Sequence, residues 1–226
     1  MKKLVYDLPL RLFHWLFAFY FLFAFIIAKT VDSESLTYSY HMMAGLTLGF
    51  AVVLRILWGI IGSRHSQFKN FELHPKKLVQ YGLNVFKKNA PIFSGHNPAS
   101  SWAAIVMFTL TLGLVISGSL MATTPDKEKF EDIHEIFANS FILIVIAHIA
   151  GIIIHTIKHK DLIGLSMLNG RKKNVADHEA INKSYVGFGF AFIALIIGFN
   201  IVIGKNFNPE TRKLTLLNIT FNLGEK

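Results

Sequence analysis

Cysteine is absent from this 226-residue chain. That absence excludes disulfides, thiolate-held iron–sulfur clusters and a covalently attached c-type haem, all of which need thiols. Any redox centre here falls to histidine or methionine. Charge is scarce too: 16% of residues are charged and 52% hydrophobic, a balance too apolar for an ordinary water-soluble domain. Acidic residues are the scarcer sign, 14 against 23 Lys and Arg.

What the chain has instead is five long apolar runs, over residues 12–28, 38–62, 102–122, 136–157 and 184–204. Each approaches or exceeds the roughly 17 to 25 residues that a spanning helix needs. None contains a carboxylate, and Arg55 is the one strong charge inside them. Lys2 and Lys3 precede the first run, as in a secretory signal, but no small-residue cleavage site follows it, so it is read as a retained span.

The formal charge of +9 follows topology and gives no sign of a nucleic-acid partner. With the N-terminus placed inside, sixteen of the 23 Lys and Arg fall on inner segments and seven on outer ones. That bias predicts a cytoplasmic N-terminus and an outer C-terminus. The outer loops are acidic, with Asp32 and Glu34, then Asp126, Glu128, Glu131, Asp132 and Glu135.

Among the histidines inside or at the ends of these runs, four stand out: His14, His41, His134 and His148. An ionisable side chain in a bilayer costs roughly 2.5 kcal/mol or more without a partner, so it marks a functional site by default. His134 and His148 are fourteen residues apart, within roughly 40° of one helix face and about 21 Å along the axis. One therefore lies near each side of the hydrocarbon. His41 opens the second run at the outer side, level with His134, and His14 is near the inner end of the first, level with His148. The pairs His41–His134 and His14–His148 follow, each able to give a haem iron two axial imidazoles. Bis-histidine iron has no open position, which suits electron transfer across the bilayer.

Gly45 is one turn after His41, and Gly151 is close to His148. Small residues there would let a flat macrocycle approach, although helix packing in membranes favours glycine as well. Arg55 needs an anion at its depth. A haem propionate would serve, and snorkelling to inner headgroups is the alternative. Arg64 and His65, just past the helix end, are candidates for propionate, a quinone head group or lipid phosphate. His155 is seven residues beyond His148 and competes with it as inner ligand.

The inner loop 63–101 contains an amphipathic stretch, 78–86, flanked by Lys76, Lys77, Lys87 and Lys88, which reads as a short helix against the headgroups. Gly95-His96-Asn97-Pro98 reads as a turn before the third span. A basic inner loop, 158–183, separates the fifth span from the rest. Residues 213–223 partly alternate and fit either a strand that pairs with a partner or a loosely ordered tail.

The motifs together carry a family resemblance. Tyr6-Asp7-Leu8-Pro9-Leu10-Arg11-Leu12-Phe13-His14-Trp15 resembles the opening of the bacterial cytochrome b561 family, which is related to the b-type cytochrome subunits of nickel–iron hydrogenases. His41-x-x-x-Gly45, Arg55-x-x-Trp58-Gly59-x-x-Gly62-Ser63-Arg64-His65, Gly95-His96-Asn97-Pro98, His134-Glu135 with Ala138-Asn139, His148-x-x-Gly151 and the segment 159–170 resemble further elements of it. The resemblance covers roughly residues 5 to 172. It implies an all-α membrane protein, a four-helix transmembrane bundle holding two b haems on His14, His41, His134 and His148. The fifth helix and its outer tail are extra, and Ala99-Ser100-Ser101 stand where glycines are common in relatives. The expected organisation is a di-haem domain over 1–172, a linker and fifth helix over 173–204, and an outer tail over 205–226.

The expected function is electron exchange between the quinone pool and another carrier in a bacterial inner membrane. Lipid and quinone are the expected small partners. The protein partner is an outer redox protein, such as a cytochrome c or a dehydrogenase or hydrogenase subunit. A membrane subunit of a hydrogenase is the nearest alternative. A superoxide–quinone oxidoreductase is another, disfavoured by the acidic outer loops. A haem-free proton or metal transporter is the alternative of a different class, disfavoured by spans without carboxylates.

Overall fold

In the computed structural model, residues 2–85, 87, 93–125, 127–160 and 162–224 are described. Among the described residues, five helices are long and apolar enough to cross a membrane. They are α1 (Leu8–Thr30), α2 (Ser39–Ile61), α4 (Pro98–Thr123), α5 (Glu128–His159) and α7 (Val186–Asn206). The short helices α3 (Pro75–Asn84) and α6 (Ser166–Asn169) lie in the connections. Strands β1 (Lys3–Leu4) and β2 (Arg171–Lys172) pair antiparallel, and β3 (Phe207–Asn208), β4 (Lys213–Leu216) and β5 (Ile219–Asn222) form a three-stranded sheet.

Helices begin where the backbone finds its caps. Asp7 Oδ1 accepts from Leu10 N at 2.9 Å, so α1 starts four residues before the apolar run does. Pro9 in that first turn loses no hydrogen bond. Asn97 does the same for α4, accepting from Ser100 N at 2.8 Å with Pro98 as the first helical residue. The fifth helical start also precedes expectation: α5 begins at Glu128, eight residues before the run at 136. Glu128 and Glu131 in its first turn and Lys158 and His159 in its last complement the helix dipole. Helix α3 starts at Pro75, three residues earlier than the predicted 78–86; Phe86 and Lys88 of that prediction, and Asp126 of the acidic loop, lie outside the described residues.

The chain divides into two compact units, and each of the five long helices contributes a segment to both. The first unit comprises Met1–His14, Arg55–Phe108 and Ile142–Phe190. Here the N-terminal segment is tied to the segment that precedes α7. Gly170, left-handed at φ 74°, ends α6 and presents its carbonyl to Val5 N and Tyr6 N at 2.8 and 3.0 Å. A Cβ on Gly170 would come within 2.5 Å of Tyr6 O, so both conformation and space require glycine. Val5, Tyr6, Leu10 and Val175 form the small core beneath. Ile181 N donates to Leu4 O, and Leu8 N to Ser184 O.

The second unit comprises Trp15–Leu54, Thr109–Phe141 and Ala191–Lys226. In it α7 packs on α2: Phe50 and Phe199 stack at 4.3 Å, and Thr47 Oγ1 meets Asn200 Oδ1 at 3.3 Å. The fifth span is thus part of this unit's core and not a detached anchor. Residues 213–222 are two strands of the three-stranded sheet, pairing within the chain, where one strand pairing with a partner or a loosely ordered tail was expected. The chain reverses at Leu217 and Asn218, both at positive φ (49° and 66°), the geometry of a two-residue hairpin turn. Leu214, Phe221 and Leu223 then bury against Ala122 and Ile203, with Met42, Met43 and Leu46 beside them. Alternation had carried the strand straight through residues whose backbone turns.

Candidate functional site

Each unit holds one of the two histidine pairs. In the second, His41 near the start of α2 and His134 in α5 bring their rings to 6.2 Å between centroids, inclined at 69°. Their hydrogen bonds fix the tautomers. His41 Nδ1 lies 2.9 Å from Ala24 O, a carbonyl that can only accept, so Nδ1 carries the proton. Ser117 Oγ already donates to Gly113 O at 2.8 Å. Its oxygen therefore accepts from His134 Nδ1 at 2.9 Å. Both imidazoles keep the Nε2 lone pair for a ligand, the arrangement in which a carbonyl or hydroxyl orients a metal-binding histidine.

Glycine makes room around the pair. A Cβ on Gly45 would meet nothing within 4 Å. One on Gly118 would be 3.3 Å from His134 Cε1. Gly118, Ser117 and Ala24 were missed in the sequence, because a small residue or a backbone carbonyl in an apolar run carries no signal of its own. Packing explains other glycines: a Cβ on Gly113 would come within 2.6 Å of Phe137, and one on Gly49 within 2.8 Å of Val115.

The first unit holds His14 in α1 and His148 in α5, close enough for the charge of one to act on the other. Gly151, one turn on from His148, again has open space where a Cβ would be. Arg55 is 2% exposed and does not snorkel. Its Nη2 donates to Ser66 O at 2.9 Å, and the guanidinium lies over the Phe68 ring at 4.9 Å and the Phe108 ring at 5.9 Å. Arg55 Nε and Nη1 are enclosed without an acceptor. Asp7 is the carboxylate whose charge acts on it. That carboxylate is itself engaged by Trp58 Nε1 at 3.1 Å and Ser66 Oγ at 2.7 Å.

Other candidates go elsewhere. Arg64 is exposed and donates to His178 O at 2.7 Å. His65 Nε2 is 2.7 Å from Glu179 O, and burial holds its pKa below the usual 6.5. These two fasten the 177–179 turn and do not join Arg55. His155 pairs with His159, ring centroids 4.5 Å apart, and lines a pocket with Tyr81, Asn97, Lys158 and Lys172. The Gly95-His96-Asn97-Pro98 turn is firmly held: Tyr6 Oη and Lys172 Nζ both donate to Gly95 O at 3.2 Å. His96 lies against Phe71 at 4.8 Å, and its pKa is pushed down to about 3, first by burial and then by the charges of Arg55 and Lys172.

A paired-histidine membrane bundle with this order of motifs can be compared with known families. The sequence profile described as "Prokaryotic cytochrome b561" matches residues 5–170. The chain belongs to the prokaryotic cytochrome b561 family. As a member, it is an integral membrane b-type cytochrome of electron transfer, and haem b is its cofactor. This cytochrome is 23% identical over 210 residues to a "Probable Ni/Fe-hydrogenase B-type cytochrome subunit" of Bradyrhizobium diazoefficiens, covering 75% of the present chain and 85% of that one. It is 26% identical over 129 residues to a protein of the same description from Rhizobium leguminosarum bv. viciae, covering 48% and 54%. No solved structure matches the chain significantly. The family match ends at residue 170, so α7 and the β3–β5 sheet lie beyond it.

Proposed function

We propose that this cytochrome binds two b haems, one on His41 and His134 and one on His14 and His148, and passes electrons between the quinone pool and a second carrier. The observation that carries this reading is the His41–His134 pair. Two Nδ1–H imidazoles from different helices stand 6.2 Å apart with both Nε2 lone pairs uncommitted. Metal–imidazole bonds of about 2 Å on each side match such a separation. Haem b supplies a one-electron iron couple, and two axial histidines leave that iron closed to oxygen. The chain's own residues do the rest. Ala24 O and Ser117 Oγ orient the ligands, Gly45 and Gly151 keep space beside them, and Arg55 offers two donors to a propionate.

The membrane is a bacterial inner membrane, the N-terminus is cytoplasmic and the C-terminus outside, supported by the bias of Lys and Arg. A hydrogenase or dehydrogenase subunit is the favoured protein partner, on the names of the two relatives.

Haem per polypeptide on detergent-purified protein, with a reduced-minus-oxidised spectrum, tests the reading. Two six-coordinate b haems are expected. H41A or H134A should remove one, and H14A or H148A the other. One haem in the unsubstituted protein breaks a pair; none in folded, haem-supplied protein overturns the proposal.

A further inference from the structure

The β3–β5 sheet lies beyond the family match, and electron transfer as described so far makes no use of it. The sheet is two-faced. Leu214 and Phe221 are partners across β4 and β5, so their side chains share a face, and both are buried. Lys213, Thr215, Thr220 and Asn222, at the alternate positions, are exposed. An antiparallel sheet of this kind packs its apolar face on a core and turns the other to water.

The apolar face covers the start of α2. Leu214, Phe221 and Leu223 pack with Met42, Met43 and Leu46, and with Ala122 at the end of α4 and Ile203 of α7. Met42 follows His41 in the chain. Its Sδ also adjoins the second histidine of the pair: a Cβ on Gly118 would be 3.9 Å from Met42 Sδ and 3.3 Å from His134 Cε1. Two ties hold the sheet there. Ser39 Oγ, fully buried, donates to Leu223 O at 3.3 Å, two residues before His41, and Arg212 donates to Glu34 O. His41 is the third residue of its helix, at an end of a span, where water would otherwise have access.

We propose that the C-terminal sheet is a cover that keeps water from the His41–His134 site and so holds up the reduction potential of the haem there. The potential rests on the two-haem reading. Ferric haem b carries one positive charge at its centre and ferrous haem b none, and water favours the charged state. The apolar surroundings of a metal site set its solvent access and, through it, its potential. Leu214, Phe221 and Leu223 are positioning residues, acting through Met42.

The test is a potentiometric titration of the full-length, haem-loaded protein in detergent, beside L214S/F221S. Methionine oxidation by dilute hydrogen peroxide, read by mass spectrometry, accompanies it. The component missing from H134A identifies the haem in question. In L214S/F221S its equilibrium should shift at least tenfold toward ferric, about 59 mV for a one-electron couple, with the other haem unmoved. Met42 should oxidise at least several-fold faster, while Met167, packed in the other unit, should not change. Should the double variant not fold, S39A, which removes the bond to Leu223, should move both readings the same way by at least twofold. A sheet that merely anchors the tail would expose Met42 without moving the potential, and that result overturns the proposal. So does an unchanged Met42 rate. Loss of neither haem in H134A overturns the two-haem reading instead, and the methionine rates still decide the shielding.

Discussion

Asp7 and Trp58, fifty-one residues apart, meet through a hydrogen bond of 3.1 Å from the indole Nε1 to a fully buried carboxylate oxygen. The same carboxylate caps α1 at Leu10 N and accepts from Ser66 Oγ. One acidic side chain therefore sets the start of the helix that carries His14 and ties it to the end of α2. Asp7→Asn replaces an acceptor by an amide donor facing two donors. We expect a loss of about 1–3 kcal/mol, the cost of an unsatisfied buried group. Chemical denaturation of the purified protein in detergent measures it, and Asp7→Ala should be at least as damaging.

Ser117 touches no ligand position but orients His134. Ser117→Ala removes the acceptor at Nδ1 and lets the ring turn. Partners of this kind are worth about 10- to 100-fold in metal affinity. Haem loss from this variant to an excess apo-globin should be at least about tenfold faster, with unchanged helix content. Equal rates would remove Ser117 from the site.

Gly45 separates room for a cofactor from room for packing. Because a Cβ there would meet nothing within 4 Å, Gly45→Leu should leave folding intact. Haem content should nevertheless fall by about half, the His41–His134 haem alone being displaced. Circular dichroism and the pyridine haemochrome assay, read together, check both halves. Gly49→Leu is the contrast, because an added Cβ would already come within 2.8 Å of Val115 and the protein itself should be destabilised.

Leu217 is 96% exposed and holds a left-handed backbone at φ 49°. A β-carbon costs about 1–2 kcal/mol in that region. Leu217→Gly should therefore stabilise the β4–β5 hairpin by up to about 1 kcal/mol. Slower amide exchange over residues 213–222 would register the gain.

Acid should loosen the fastening of the 177–181 segment. Burial lowers the pKa of His65 below the usual 6.5, and that of His96 to about 3. A histidine lowered in the folded state contributes stability above its unfolded pKa. That contribution shrinks as pH falls through about 6.5, where the unfolded chain takes up the proton first. Glu179 and Asp177 are lowered too, by hydrogen bonds from Ser94 and Lys3, and their share goes at lower pH. Protection factors at residues 176–181, corrected for the pH dependence of intrinsic exchange, should fall from pH 7.5 to 5.5, and H65Q/H96Q should flatten the change.

The five spans and the two histidine pairs were legible because bilayer thickness and the 100° helical step convert spacing directly into depth and face. His134 and His148 needed only arithmetic. Helix ends were less legible, because Asp7, Asn97 and Glu128 extend helices through polar residues that an apolar window excludes. Arg55 was visible as a problem, but its answer required knowing that Phe68 and Phe108 would close over it. The groups that orient the histidines were invisible: nothing distinguishes Ser117 or Ala24 from any other residue of an apolar run. The hairpin was missed because Leu217, a poor turn former, sits where asparagine or glycine would have announced the reversal.

The short pairing of Lys3–Leu4 with Arg171–Lys172 has a consequence for biogenesis. Residue 3 leaves the ribosome first and has no strand partner until residue 172 is made, after four spans have been delivered to the membrane. Its neighbours Val5 and Tyr6 likewise wait for Gly170, and Leu8 for Ser184. The N-terminal segment therefore stays without these partners until residues 170–184 have been made. Closing it is the last step of assembly for that unit, completed only as the fifth helix begins to emerge.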